Sequence, residues 1–171
     1  MSEEEWYTVE VMPNDLGLPP FATRRLQPEV LYGCNPLFAR HVEELTTAGV
    51  THVLDLREEW EWAGEGRVGR EAIETIERIP IHRRHLPIAD GGNPKAETLT
   101  AAVKFIDHAL AGGGVVFVHC RAGRERSGAV LLAWMLSRGC DVGELQELAP
   151  DLKPLPEQQA AVYEWLRMVD R

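Results

Sequence analysis

The sequence predicts an α/β fold: a three-layer single domain with a central, mostly parallel sheet of four to five strands flanked by helices. Three observations predict it. Strand-like and helix-like segments alternate along most of the chain, the order that builds a sheet with helices on both faces. The helix-like segments are punctuated by proline at their starts and glycine at their ends. One apolar run, residues 115–118, passes through a short polar loop into a second apolar stretch, residues 128–136. That is the pattern of a buried strand feeding a buried helix.

Residues 1–29 read as an N-terminal extension packed on the domain, and residues 30–171 as the domain itself. Residues 6–11 alternate in polarity as an edge strand does, and residues 14–20 are turn-rich. Residues 30–32 form a short strand. Asn35 and Pro36 supply an N-cap and a first helical position, and Gly49 ends that helix. Residues 50–56 are the next strand. The charged stretch 57–78 is partly helical and broken by Gly64 and Gly66. Residues 79–82 make a further strand.

Asn93 and Pro94 open a helix whose face carries Leu99, Ala102, Val103, Ile106 and Leu110, and three glycines at 112–114 stop it. The core strand, the loop and the buried helix follow, ending at Gly139. Asp141, with Glu144 three positions later, has the form of a capping box. Leu155, Val162, Leu166 and Val169 form the buried stripe of the last helix.

Composition narrows the function classes. Hydrophobic residues are 44% and charged residues 26%, a globular balance. A formal net charge of −9 disfavours general binding to nucleic acid or anionic membranes. Cys34, Cys120 and Cys140 cannot all pair, which fits a reducing compartment. No run of about 18 apolar residues offers a membrane span, and the acidic start lacks the form of a signal peptide. The expectation is a cytoplasmic monomer with no stable membrane insertion.

Residues 119–127, His119-Cys120-Arg121-Ala122-Gly123-Arg124-Glu125-Arg126-Ser127, carry the chemistry. At a strand-to-helix junction the unpaired N–H groups of the helix start face an anion. A thiol beside such amides and a fixed cation can fall from about 8.5 to roughly 3.5–7.5 and stand as a thiolate. The Arg126 fork matches two phosphate oxygens at once. Ser127 places a hydroxyl near the sulfur, and Gly123 supplies the freedom of a tight loop. His119 shapes the loop around Cys120. The backbone of residues 121–126 forms the phosphate cradle.

A departing oxygen needs a proton from a carboxyl group on another loop. Asp90 stands between Pro87, which stiffens its approach, and Gly91-Gly92, which permits a tight mobile turn. Asp-Gly is equally a common turn pair, so both roles remain open from the residues alone. Asp55 at a strand end reads as a loop-orienting group or an arginine partner, Asp107 lies mid-helix, and Asp141 reads as a cap.

Residues 119–127 resemble the signature of the protein tyrosine phosphatase superfamily, most closely its small, atypical dual-specificity branch. Residues 53–57, 86–92 and 150–154 are similar to that family's strand after the first helix, its acid loop and its ending. The resemblance covers about residues 30–168. It implies a cysteine-phosphatase fold, Cys120 as nucleophile, Asp90 as general acid, and a phosphocysteine intermediate. It implies no metal and no cofactor, because arginine and amides neutralise the charge. Its expected partner is a phosphorylated protein or a small phosphorylated substrate.

Two departures bear on the substrate. Arg121 and Arg124 add cations beside Arg126, a trait of relatives acting on phosphoinositides, inositol phosphates or phospholipid head groups. The competing reading is that they point outward and pair with acids such as Glu125, itself unusual at its position. The stretch 82–85, His-Arg-Arg-His, reads as a solvated strand end or a basic rim, and Trp60 and Trp62 as packing residues or a rim. A phosphate-binding module without turnover is the rival of a different class. Catalytically dead relatives lose the cysteine or the arginine, and both are present here.

Overall fold

The computed structural model describes residues 21–64 and 67–169. The strand and turns expected over 6–20, and the break at Gly66, lie outside those residues. The elements in chain order are β1 (Thr23–Gln27), β2 (Val30–Gly33), α1 (Ala39–Thr47), β3 (His52–Asp55), a 3₁₀ turn (Glu59–Glu61), α2 (Arg70–Glu77), β4 (His82–His85), α3 (Ala96–Ala111), β5 (Val116–His119), α4 (Arg126–Ser137), α5 (Val142–Leu148) and α6 (Pro156–Val169). The sheet order is β1-β2-β5-β3-β4. The pairs β2–β5, β5–β3 and β3–β4 are parallel, and β1 alone is antiparallel to its neighbour. β1 lies before residue 30, so the sheet begins inside the expected extension.

The middle strand explains the layers. Side chains alternate across a strand. Phe117 of β5 therefore joins Leu31, Val42, Leu45, Val53 and Ile76 on the α1/α2 face. Val116 and Val118 join Leu99, Ile106, Val130, Leu131 and Trp134 on the α3/α4 face. β5 is buried on both sides, which is why it reads as an unbroken apolar run. Phe117→Ala would cost about 3–5 kcal/mol by the usual cavity penalty. Indole N–H groups stitch the helical layer: Trp134 donates to Asp107 and Trp165 to Thr100.

Several boundaries differ from expectation, each for a physical reason. α1 starts at Ala39, not Pro36, because residues 35–38 are drawn into other bonds. The Asn35 N–H donates to Arg121 O, and the Leu37 N–H donates to His41 Nδ1 at 2.9 Å. The Ala39 N–H is satisfied by the Glu71 carboxylate from α2. α3 starts at Ala96 rather than Pro94, with Lys95 extended at the cap. Pairing with β3 places β4 at His82–His85 rather than at 79–82, although its residues are poor strand formers. Asp141 does form the expected capping box with Glu144. The buried stripe of α6 is Gln158, Val162 and Trp165, with Leu166 packed beside it; Val169 is exposed.

Candidate active site

β5 delivers His119 and Cys120 to the carboxyl edge of the sheet, and α4 begins at Arg126, so residues 120–125 form the loop between them. Ligands of open α/β sheets bind at this edge. Gly123 has φ +71, and a Cβ there would strike Gly33 O and lie 2.9 Å from Cys34 N. Only glycine permits that approach. The Asn35 N–H donates to Arg121 O and the Lys153 N–H to Arg124 O, clamping the loop from both sides. Where α4 starts, Gly128 lies tight against Pro154, with no room for a larger residue.

Cys120 is buried at the loop base, and the Ser127 hydroxyl donates to its sulfur at 3.3 Å. His119 Nδ1 lies 3.1 Å from Cys120 O. Arg126 is buried and gripped from behind. Its two terminal nitrogens donate to the Glu61 carboxylate at 2.7 and 2.9 Å, and Nη1 also donates to Ile88 O. Asp90 is half-exposed, with Oδ1 3.6 Å from Arg126 Nη2. The loop, the arginine and the acid loop thus converge on one place.

Glu61 is the residue the sequence reading missed. The only local signal was the acidic cluster at 58–61, which carries no periodicity. Burial pushes the Glu61 carboxyl up. Hydrogen bonds from Arg126 and the Glu58 N–H, with the charges of Arg126 and Arg57, outweigh it and hold the group below its usual range. Burial likewise opposes the charge on Arg126, but Glu61, Cys120 and Asp90 raise its pKa on balance.

A second ionic cluster lies under the loop. Asp55 is fully buried and accepts two bonds from the Arg57 side chain and one from Arg83. Its Oδ2 is 3.8 Å from His119 Nε2. Burial would raise the Asp55 pKa, yet the cationic neighbours keep it well below the carboxylate range. Burial lowers His119 to about 4 despite Asp55. His119 is therefore neutral near pH 7, where the two arginines hold the Asp55 charge. The arginine-partner expectation for Asp55 fits this geometry.

The two tryptophans divide. Trp62 packs, with the Arg57 and Arg83 guanidinium groups over its ring and His85 against its edge. Trp60 is exposed and carries Arg67 over its ring. Arg83 is committed to Asp55, so residues 82–85 are an edge strand rather than a continuous basic rim. Among the described residues, Arg121, Arg124 and Glu125 enter no ion pair, so the expected pairing of the loop arginines with Glu125 is not seen. Cys34 is buried next to the loop, its thiol pushed up by burial. Cys140 lies past the far end of α4, about 18 Å away at 1.5 Å per helical residue, beyond disulfide reach.

Comparisons with known proteins agree with this geometry. A family model described as "Polymorphic toxin system, DSP-PTPase phosphatase" matches residues 32–140. "Putative tyrosine phosphatase 067L" of Invertebrate iridescent virus 3 is 32% identical over 63% of this chain and 42% of its own length. Human "Phosphatidylglycerophosphatase and protein-tyrosine phosphatase 1" is 28% identical over 66% of this chain and 54% of its own length. The chain thus spans about half the length of these curated relatives. The crystal structure of a mutant form of Tk-PTP superposes with a TM-score of 0.73 at 25% identity, covering 87% of this chain and 97% of that one. PTPMT1 in complex with PI(5)P shares the fold, with a TM-score of 0.71 at 23% identity, over 86% of this chain and 96% of that one. No helix among the described residues is long and apolar enough to cross a membrane. With its family model matched from β2 through α4 and the loop built as described, the chain belongs to the DSP-PTPase phosphatase family of polymorphic toxin systems.

Proposed function

We propose that the chain is a cysteine-dependent phosphomonoester hydrolase of dual-specificity type, acting on phosphorylated protein. The observation that carries this reading is the 3.6 Å approach of Asp90 to Arg126, which puts an acid from a separate loop beside the phosphate cradle. The Cys120 thiolate attacks phosphorus while the bond to the leaving oxygen breaks. Asp90 gives its proton to that oxygen. Water then attacks the phosphocysteine, the Asp90 carboxylate takes a proton from it, and the sulfur–phosphorus bond breaks to release phosphate. Ser127 donates a hydrogen bond to the departing thiolate. Arg126, aimed by Glu61, and the loop N–H groups hold the charge of both transition states. This charge is met without a metal, so activity should persist in excess EDTA.

A second reading is favoured by one observation. Arg121 and Arg124 are free of ion pairs among the described residues, as cations that meet further phosphates would be. A phosphoinositide, inositol phosphate or phospholipid head group is the matching substrate, and one relative's printed name includes phosphatidylglycerophosphatase.

Both readings are tested with phosphotyrosine and phosphothreonine peptides, inositol phosphates and phosphoinositides. Wild type, Cys120→Ser and Arg121→Ala/Arg124→Ala are compared. Cys120→Ser should reduce turnover to background on every substrate; near-normal turnover would remove the mechanism and leave a binding module. Peptide hydrolysis unchanged by the double substitution supports the protein substrate. A selective loss on polyphosphorylated substrates supports the second reading.

A further inference from the structure

Asp90 sits on a loop that would be expected to wander, since its neighbours are two glycines and its side chain is half-exposed. The loop is nonetheless tied at two points only four residues apart. At the front, the Ile88 N–H donates to Leu56 O and the Ile88 carbonyl accepts from Arg126 Nη1. At the back, the Gly92 N–H closes a turn onto Ala89 O, with Gly91 at φ +73. Asp90 occupies the corner of that turn. The Gly92 carbonyl, at the end of the turn, is met by a side chain of α6.

That side chain is Gln158. It is completely buried, and both ends of its amide are used. Oε1 accepts the Leu155 N–H, which lies just before α6, and Nε2 donates to Gly92 O at 3.0 Å. A buried amide must find partners, and here each partner belongs to a different structure. One is the start of α6, itself moored to the catalytic loop by the bond from Lys153 to Arg124. The other is the turn that carries Asp90. Helix capping accounts for the first bond, because Gln158 stands at the third position of α6 and reaches back to the Leu155 N–H, but it does not account for the second, to Gly92.

We infer that Gln158 is a positioning residue for the reaction: its amide bridges the mooring of the catalytic loop to the Asp90 turn and sets where the acid stands relative to the leaving oxygen. The inference rests on the reading of Asp90 as the general acid. Gln158 does not touch the substrate. Its effect is confined to the step in which Asp90 gives up its proton, so it depends on how much the leaving group needs that proton.

The leaving group therefore supplies the test. The full chain is assayed with aryl phosphates running from an acidic dinitrophenol to phenol, whose pKa is close to the tyrosine value of about 10. The readout is the ratio of kcat/KM between the two extremes, measured on one preparation, which is independent of the fraction folded. Asp90→Asn should lower phenyl phosphate turnover by on the order of 10²–10⁴ while sparing the dinitrophenyl ester. Gln158→Met should tilt the ratio in the same direction by about tenfold, and Gln158→Leu likewise, because neither side chain carries a donor for Gly92. The double variant Asp90→Asn/Gln158→Met should tilt the ratio no further than Asp90→Asn alone. An equal loss on all esters, or no loss, in both Gln158 variants while Asp90→Asn tilts the ratio would overturn the inference and leave the acid intact. A flat Asp90→Asn profile would remove the acid assignment itself, and the inference with it.

Discussion

The catalytic loop and the acid loop face each other across the site and are built in opposite ways. The catalytic loop is over-determined: backbone bonds from Asn35 and Lys153, the glycine contact at Gly33, the Ser127–Cys120 bond and the Glu61 grip on Arg126 all constrain it. The acid loop hangs between Ile88 and Gly92 with its key side chain half in solvent. The trap must already match the transition state when substrate arrives, because preorganised dipoles cost no rearrangement during reaction. On the proposed mechanism Asp90 must admit a leaving group of variable shape and then reach it, which calls for a lighter tether.

Two glycines bring the comparison to one atom. Gly123 and Gly91 have nearly the same φ, +71 and +73. A Cβ at Gly123 strikes the backbone of Gly33 and Cys34, while one at Gly91 meets nothing within 4 Å. Gly91→Ala should therefore cost only the left-handed backbone penalty, about 1–2 kcal/mol, with turnover largely kept. Gly123→Ala adds a clash with backbone that cannot give way, and should reduce turnover to near background. Parallel kinetics and thermal unfolding check this. Equal activity in the two variants would mean that the catalytic loop is no stiffer than the acid loop.

Glu61 sharpens the contrast by its type of defect. Glu61→Gln removes the charge that holds the Arg126 fork and leaves one acceptor in place of two. Misplacing a transition-state contact can cost on the order of 10² in rate, so kcat should fall by about that factor. The loss should be uniform across leaving groups, because in the proposed mechanism Arg126 serves the phosphoryl group and not the leaving oxygen. A loss that grows with leaving-group basicity would instead place Glu61 in the acid's service.

What could be read from the sequence follows the same division. The catalytic loop is contiguous: thiol, cradle, arginine and hydroxyl lie within nine residues between a strand and a helix, so its pattern is local. Pro87 and the glycines mark the loop of Asp90, but the residues alone leave it open between acid and turn residue, and only the family resemblance implies the acid. Glu61 was not readable, because its partner is 65 positions away and nothing in Glu-Trp-Glu-Trp says which carboxylate turns inward. β4 was misplaced for a related reason: His82-Arg83-Arg84-His85 has little strand propensity and is held by pairing with β3 and by the Arg83–Asp55 bond. Gln158 has no place in the stripe read for the last helix, Leu155, Val162, Leu166 and Val169, because that face was assigned by hydrophobicity alone. Polar groups that are buried for the sake of a distant partner break the periodicity on which such readings depend.

The smallest expected effect concerns the support behind the trap, which is titratable. His41 Nδ1 accepts from the Leu37 and Phe38 N–H groups and so holds the segment whose Asn35 backs the catalytic loop. Burial, aided by the charge of Arg40, lowers His41 to about 4. A proton on Nδ1 would turn the acceptor into a third donor. In the unfolded chain histidine titrates near 6.5, so between about 6.5 and 4 the unfolded state binds the extra proton. Stability from this group is thus complete above pH 6.5 and is lost as pH falls toward 4, by up to about 3 kcal/mol. His119, lowered to about 4 by burial, acts in the same window and direction, whereas Asp55 contributes only in more acidic solution. Urea midpoints at pH values from 7.5 to 4.5 should therefore fall steeply in wild type. In His41→Gln, whose side-chain oxygen can replace the acceptor, about one proton's worth of that slope should disappear, leaving the His119 share. An unchanged slope would show that His41 does not govern the trap's backing, and the acid sensitivity would then belong to the ionic floor beneath Cys120.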